Sequence, residues 1–103
     1  MYNYIIEPRA QKEYEDSVDW YITQSEKATI NFIQSVQNSL DLICKQPYQY
    51  RKSYKTFHEI ILKKYPFSII YAIEEELKMV VVFSIYHQKR NPQNKFKKTV
   101  IKK

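Results

Sequence analysis

From Arg9 onward the apolar residues Ala10, Tyr14, Val18, Tyr21 and Ile22 recur in steps of three and four, with Trp20 beside them. That spacing marks one face of an amphipathic helix. Pro8 suits its first turn, where a backbone N–H would have no intrahelical partner in any case. Glu13, Glu15, Asp16 and Asp19 are expected on the opposite, solvent side. The stripe breaks at Thr23-Gln24-Ser25 and resumes as Ala28, Phe32, Val36, Leu40 and Ile43. Ser25 has the hydroxyl needed to cap a second helix at its N-terminus. So short a break folds the two helices back as an antiparallel hairpin. The second helix should end before Pro47.

Strand patterns flank the hairpin. The opening "MYNYII" alternates aromatic and aliphatic residues and predicts a short strand. "PYQYRKSYK", residues 47–55, has no clean period and predicts a loop. Three strands are then expected, over Thr56 to Lys64, Phe67 to Ile73 and Leu77 to Tyr86. They are joined by Tyr65-Pro66 and by the charged turn Glu74-Glu75-Glu76, which has neither Gly nor Asn. Short connections make them an antiparallel meander. The near-continuous apolarity of the last strand predicts a central position covered on both faces. The order β-α-α-β-β-β implies an α+β fold, a helical hairpin on one face of a small, mainly antiparallel sheet. The second face should be more open, with function at the strand ends and loops around it.

Composition narrows the chemistry. With 103 residues and 44% hydrophobic content the chain makes one domain with a small core, expected over 1–92 and followed by a basic tail at 93–103. Glycine is absent, which removes both the Walker phosphate loop and the dinucleotide fingerprint. No Cys/His spacing suits zinc, so neither metal nor cofactor is expected. Cys44, the single cysteine, reads as a packing residue of a reduced compartment. No signal-like start and no apolar run near the ~20 residues of a membrane span are present, so a cytoplasmic protein without membrane contact is expected.

Charge is distributed unevenly. Net charge is +6, yet after Tyr86 seven basic residues, among them Lys89, Arg90, Lys95, Lys97 and Lys98, stand without one acid, and the preceding part carries net −1. Such asymmetry calls for an anionic partner. Arg51, Lys52, Lys63 and Lys64 extend the cationic set that could contact a target or nucleic acid.

Four segments then carry a family resemblance: "YIIEPRAQKEYEDSVDWY", "KATINFIQSVQNSLDLICKQP", "HEIILKKYPFSIIYAIEEE" and "VVVFSIYHQKRNP". Together they resemble the RelE/ParE superfamily of toxins from bacterial type II toxin–antitoxin systems, the plasmid-stabilisation proteins. The resemblance runs from about Tyr2 to Pro92. It implies a cognate antitoxin, acidic where it wraps the toxin, and a chain able to pair with itself when that antitoxin is missing. Two activities occur in the superfamily. RelE-like members cut mRNA on the ribosome without a metal. ParE-like members inhibit DNA gyrase by binding.

As a nuclease the chain would draw on Glu59 or His58, on His87 and Tyr86 for proton transfer, and on Arg90 with a lysine for charge. Where many nuclease members have an arginine three residues before the equivalent of Tyr71, this chain has Ser68. The "YPF" turn likewise resembles the ParE-like branch. The two activities differ in an expected geometry. A nuclease should bring Glu59, His87, Arg90 and a lysine around one phosphate-sized site, whereas a binder should scatter them or pair them with each other.

Overall fold

The computed structural model describes residues 1–89. Arg90, Lys95, Lys97 and Lys98, and a strand at Phe96 or Val100-Ile101, therefore lie outside the described residues. The elements are β1 (Asn3–Ile6), α1 (Pro8–Gln24), α2 (Glu26–Lys45), β2 (His58–Ile61), β3 (Phe67–Glu74) and β4 (Met79–His87), with a 3-10 turn at Glu75–Leu77. The order β-α-α-β-β-β is the one the sequence pattern implies. Ser25 caps α2, its hydroxyl accepting from the Ala28 N–H at 3.0 Å, and Pro8 opens α1.

One sheet runs β1-β4-β3-β2. β1 joins β4 in parallel, Asn3 opposite Met79 and Ile6 opposite Val82. β4–β3 and β3–β2 are antiparallel. The apolar last strand is thus central, as its composition requires. The helices cover one face, and the core gathers there around Phe32, Val36, Leu40, Ile43, Phe67, Ile69, Tyr71, Val80, Val82 and Ile85. Cys44 is free and buried, and burial pushes its thiol above the ordinary value, which suits packing rather than nucleophilic chemistry. Among the described residues no helix is long and apolar enough to cross a membrane.

Several local expectations are corrected. β2 and β4 are trimmed at their starts, because Phe57 N–H bonds to Tyr54 C=O in one turn and Lys78 N–H to Glu75 C=O in the other, and β2 also ends at Ile61 rather than Lys64. Lys78 takes the left-handed conformation, φ 51°, that glycine would usually occupy. Ile22 points outward and is exposed. Glu13 leaves the solvent face: its Oε1 accepts from both the Ile85 N–H and the Ser84 hydroxyl at 2.9 Å. Arg9 Nη2 donates to Phe83 C=O nearby. β1 reaches only as far as Val82 on β4, and these two α1 side chains satisfy the strand edge beyond it.

The left-handed turn is held by a clip. Glu75 accepts from the hydroxyls of Tyr2 and Tyr48, each at 2.7 Å, and pairs with Lys78. Lys78, then Tyr48 and Tyr2, hold the Glu75 carboxyl down from 4.5 to about 2. A depressed carboxyl stabilises the fold fully above its unfolded value and loses that contribution as pH falls through the folded one. Acid titration of the native chain against Glu75→Gln should show a stability gap above pH 4.5 that closes toward pH 2. A gap constant across that window would refute the clip.

Candidate functional site

Among the described residues β2 is an edge strand, and its outer side faces α2 across a groove of about 890 Å³. Its chemistry follows from strand geometry. The Glu59 N–H points away from β3 and donates to Arg51 C=O at 3.0 Å. With a side-chain and hydrogen-bond period of two, Ile61 directs its N–H and C=O the same way, into the groove. Lys63, Lys64 and Arg51 line it, with the amides of Asn31, Gln34 and Asn38 across it on α2. Ile61 and Leu42 are apolar lining residues left 48% and 47% exposed. The groove therefore offers backbone pairing, apolar contact and positive charge together.

Glu59 stands at its inner end, only 2% exposed. Its Oε1 accepts from Arg51 Nη2 at 2.9 Å and from Ser53 Oγ at 3.2 Å, and its Oε2 accepts from the Tyr86 hydroxyl at 2.9 Å. A buried carboxylate needs such partners, because burial removes its water. The same cluster ties the 47–57 loop to the sheet. Lys52 bridges to His58, whose Nδ1 lies 2.9 Å from Tyr50 C=O. The Tyr71 hydroxyl, pushed up by burial, donates to Pro47 C=O. A segment that reads as plain loop in sequence is pinned at these points, and Arg51, Lys52 and Lys55 are held exposed on it. Period counting could not find these partners; only the lone acid in an apolar strand hinted at them.

Of the nuclease candidates, Glu59 and Tyr86 are brought together, with Arg51. His87 is not with them. It pairs with Phe67 across β3–β4, while its neighbour Tyr86 pairs with Ser68, so the two side chains leave opposite faces of the sheet. His87 lies on the helix side, edge-on to the Phe67 ring at 5.0 Å. His58 is buried and stacks on Tyr71. Ser68 is fully buried, so the middle strand supplies no cation to the Glu59 face.

Two helices on a β1-β4-β3-β2 sheet are the architecture that the resemblance to the RelE/ParE superfamily implies. The profile of one of its families, described as the ParE toxin of type II toxin-antitoxin system, parDE, matches residues 4–92, and the chain belongs to that family. Solved structures share the fold. A chain of the chromosomal ParDE system from P. aeruginosa aligns with a TM-score of 0.72 at 15% identity, covering 84% of this chain and 96% of its own. The intact E. coli RelBE toxin–antitoxin complex gives 0.62 at 16% identity, covering 87% and 100%. The isolated E. coli RelE toxin gives 0.62 at 15%, covering 99% and 98%. No curated protein matches the chain in sequence.

Proposed function

We propose that this toxin acts by binding rather than by cutting: it inhibits DNA gyrase, and a cognate antitoxin neutralises it through an acidic, extended segment laid in the β2 groove. One observation carries the choice of mechanism. Glu59 and Tyr86 are committed to each other and to Arg51 and Ser53, while His87 leaves the opposite face of the sheet. A general base already engaged by a phenol, a serine and a guanidinium, with the histidine elsewhere, is a structural tie more than a proton-transfer site. For the antitoxin, the outward Ile61 backbone groups favour strand addition, and Lys63, Lys64 and Arg51 favour acids beside it. The competing reading, a ribosome-dependent mRNA endonuclease, would draw on the same Tyr86–Glu59–Arg51 cluster.

Induced expression with parallel readouts separates the two. The expected result is early loss of plasmid supercoiling with transcripts intact and translation falling later. Early transcript cleavage on ribosomes with supercoiling preserved overturns the gyrase reading.

A further inference from the structure

Part of the β2 edge is already taken by the chain's own loop, and this fixes the room left in the groove. Lys52 bridges His58 in an antiparallel register. Two bonds frame the bridge, from the Ser53 N–H to Phe57 C=O at 2.8 Å and from the Glu59 N–H to Arg51 C=O at 3.0 Å. One step along the same register, Arg51 stands opposite Glu59, and their ion pair at 2.9 Å is a cross-strand contact on one face. The next outward residue of β2 is Ile61. Gln49 would stand opposite it, but the Gln49 N–H turns back to Gln46 C=O at 3.1 Å. The loop therefore leaves the edge before it reaches Ile61. Leu62 does not share the outward direction, because its N–H bonds to Phe67 C=O on the β3 side.

Charge along this edge is one-sided. Arg51 already shares its charge with Glu59. Lys63 and Lys64 follow Ile61 at the other end, both exposed, and neither forms an ion pair among the described residues. Between the two ends lies the Ile61 side chain, 48% exposed, which calls for an apolar cross-strand neighbour. A strand added antiparallel to β2 takes the direction the loop already has there, and that pairing is the more stable one. Such a strand meets the lysines first, Ile61 next and the Arg51–Ser53 segment last.

We propose that the groove selects a partner segment with the order acid-x-apolar, read from N to C. The apolar residue lies opposite Ile61, the acid two positions earlier lies beside Lys63 and Lys64, and the segment ends or turns outward at Arg51. This rests on strand addition in the groove and adds the direction, register and residue order of the strand. Period two keeps the acid and the apolar residue on one face. A slip by one residue sends the acid to the other face, toward the amides of Asn31, Gln34 and Asn38 and away from the ammonium groups. The loop segment Arg51–Ser53 is the stop that prevents the slip.

The full chain is titrated with the acetylated, amidated pentapeptide Ser-Glu-Thr-Val-Ser and with its reversed order, Ser-Val-Thr-Glu-Ser. The first should bind with half-saturation on the order of millimolar, and the second about threefold more weakly. The combined Lys63→Gln and Lys64→Gln variant should lose about threefold for the first peptide at low salt and bind the two orders equally. At saturation, hydrogen exchange of the Ile61 amide should slow, while the Ser53 and Glu59 amides keep the protection they have in the free chain. Equal binding of the two orders by the native chain overturns the proposal and leaves strand addition standing. Loss of Ser53 protection on binding means that the loop segment is displaced, and it overturns the proposal with the same survivor. No change at Ile61 with either peptide overturns the proposal and the groove assignment together.

Discussion

Replacing Phe32 with alanine is expected to destabilise the domain by about 3–5 kcal/mol, close to the whole stability of a small fold. Phe32 is fully buried and lies where the layers meet. Its ring stacks on Tyr21 of α1 at 4.7 Å and contacts Tyr14 of α1 at 6.0 Å, Tyr65 of the β2–β3 turn at 5.7 Å and Phe67 of β3 at 4.8 Å. These neighbours come from three separate segments, so none can collapse into the space without losing contact with another. The cavity term should therefore sit near the top of its range. Ile30→Ala, on the exposed side of the same helix, should change stability by no more than about 0.5 kcal/mol. Urea unfolding midpoints that coincide for Phe32→Ala and the native chain would sink the layered-core account.

The second large effect is expected at Glu59. Glu59→Ala removes the acceptor of three hydrogen bonds at once. The Tyr86 hydroxyl is then left in a buried setting, at a cost of about 2–3 kcal/mol. Arg51 contributes less, because its side chain is 63% exposed and regains water. Glu59→Gln keeps one acceptor oxygen and should lose roughly half as much. The loop should report the change locally: exchange of the Ser53 and Phe57 amides, which bond within the loop, should accelerate in Glu59→Ala before the core amides do. Growth arrest on induction should survive Glu59→Gln if the toxin only binds. Loss of toxicity in that variant, with the fold and the antitoxin complex intact, would favour the nuclease.

Much of the fold was legible because single-residue chemistry decides it. The 3.6-residue stripe from Ala28 to Ile43, the Ser25 hydroxyl and the Pro8 ring each act within a few residues of themselves. Glu13 departs from its expected face for a reason that lies outside its helix. Periodicity says which face of a helix is apolar, but the unpaired β4 edge that draws in the Glu13 carboxylate is contributed by a strand 71 residues away. The Lys78 turn was hidden because its left-handed backbone is stabilised by Glu75, Tyr2 and Tyr48 rather than by a glycine that a reader could spot. Among the site candidates, Glu59 was found as an acid in a strand. Its engagement by Tyr86, and the departure of His87 to the other face, depend on pairing register, which no local pattern encodes.

Among the described residues β1 is the first strand to be synthesised and β4 the last, yet β1 pairs with β4 alone. The hairpin of α1 and α2 can form early, while Asn3 of β1 waits for Met79, its partner 76 positions later in the chain (79 − 3). During translation the N-terminal strand must remain single, and the middle of the sheet closes in a late, long-range step. A toxin built in this order passes through an interval in which its helices have emerged and its binding surface is still incomplete.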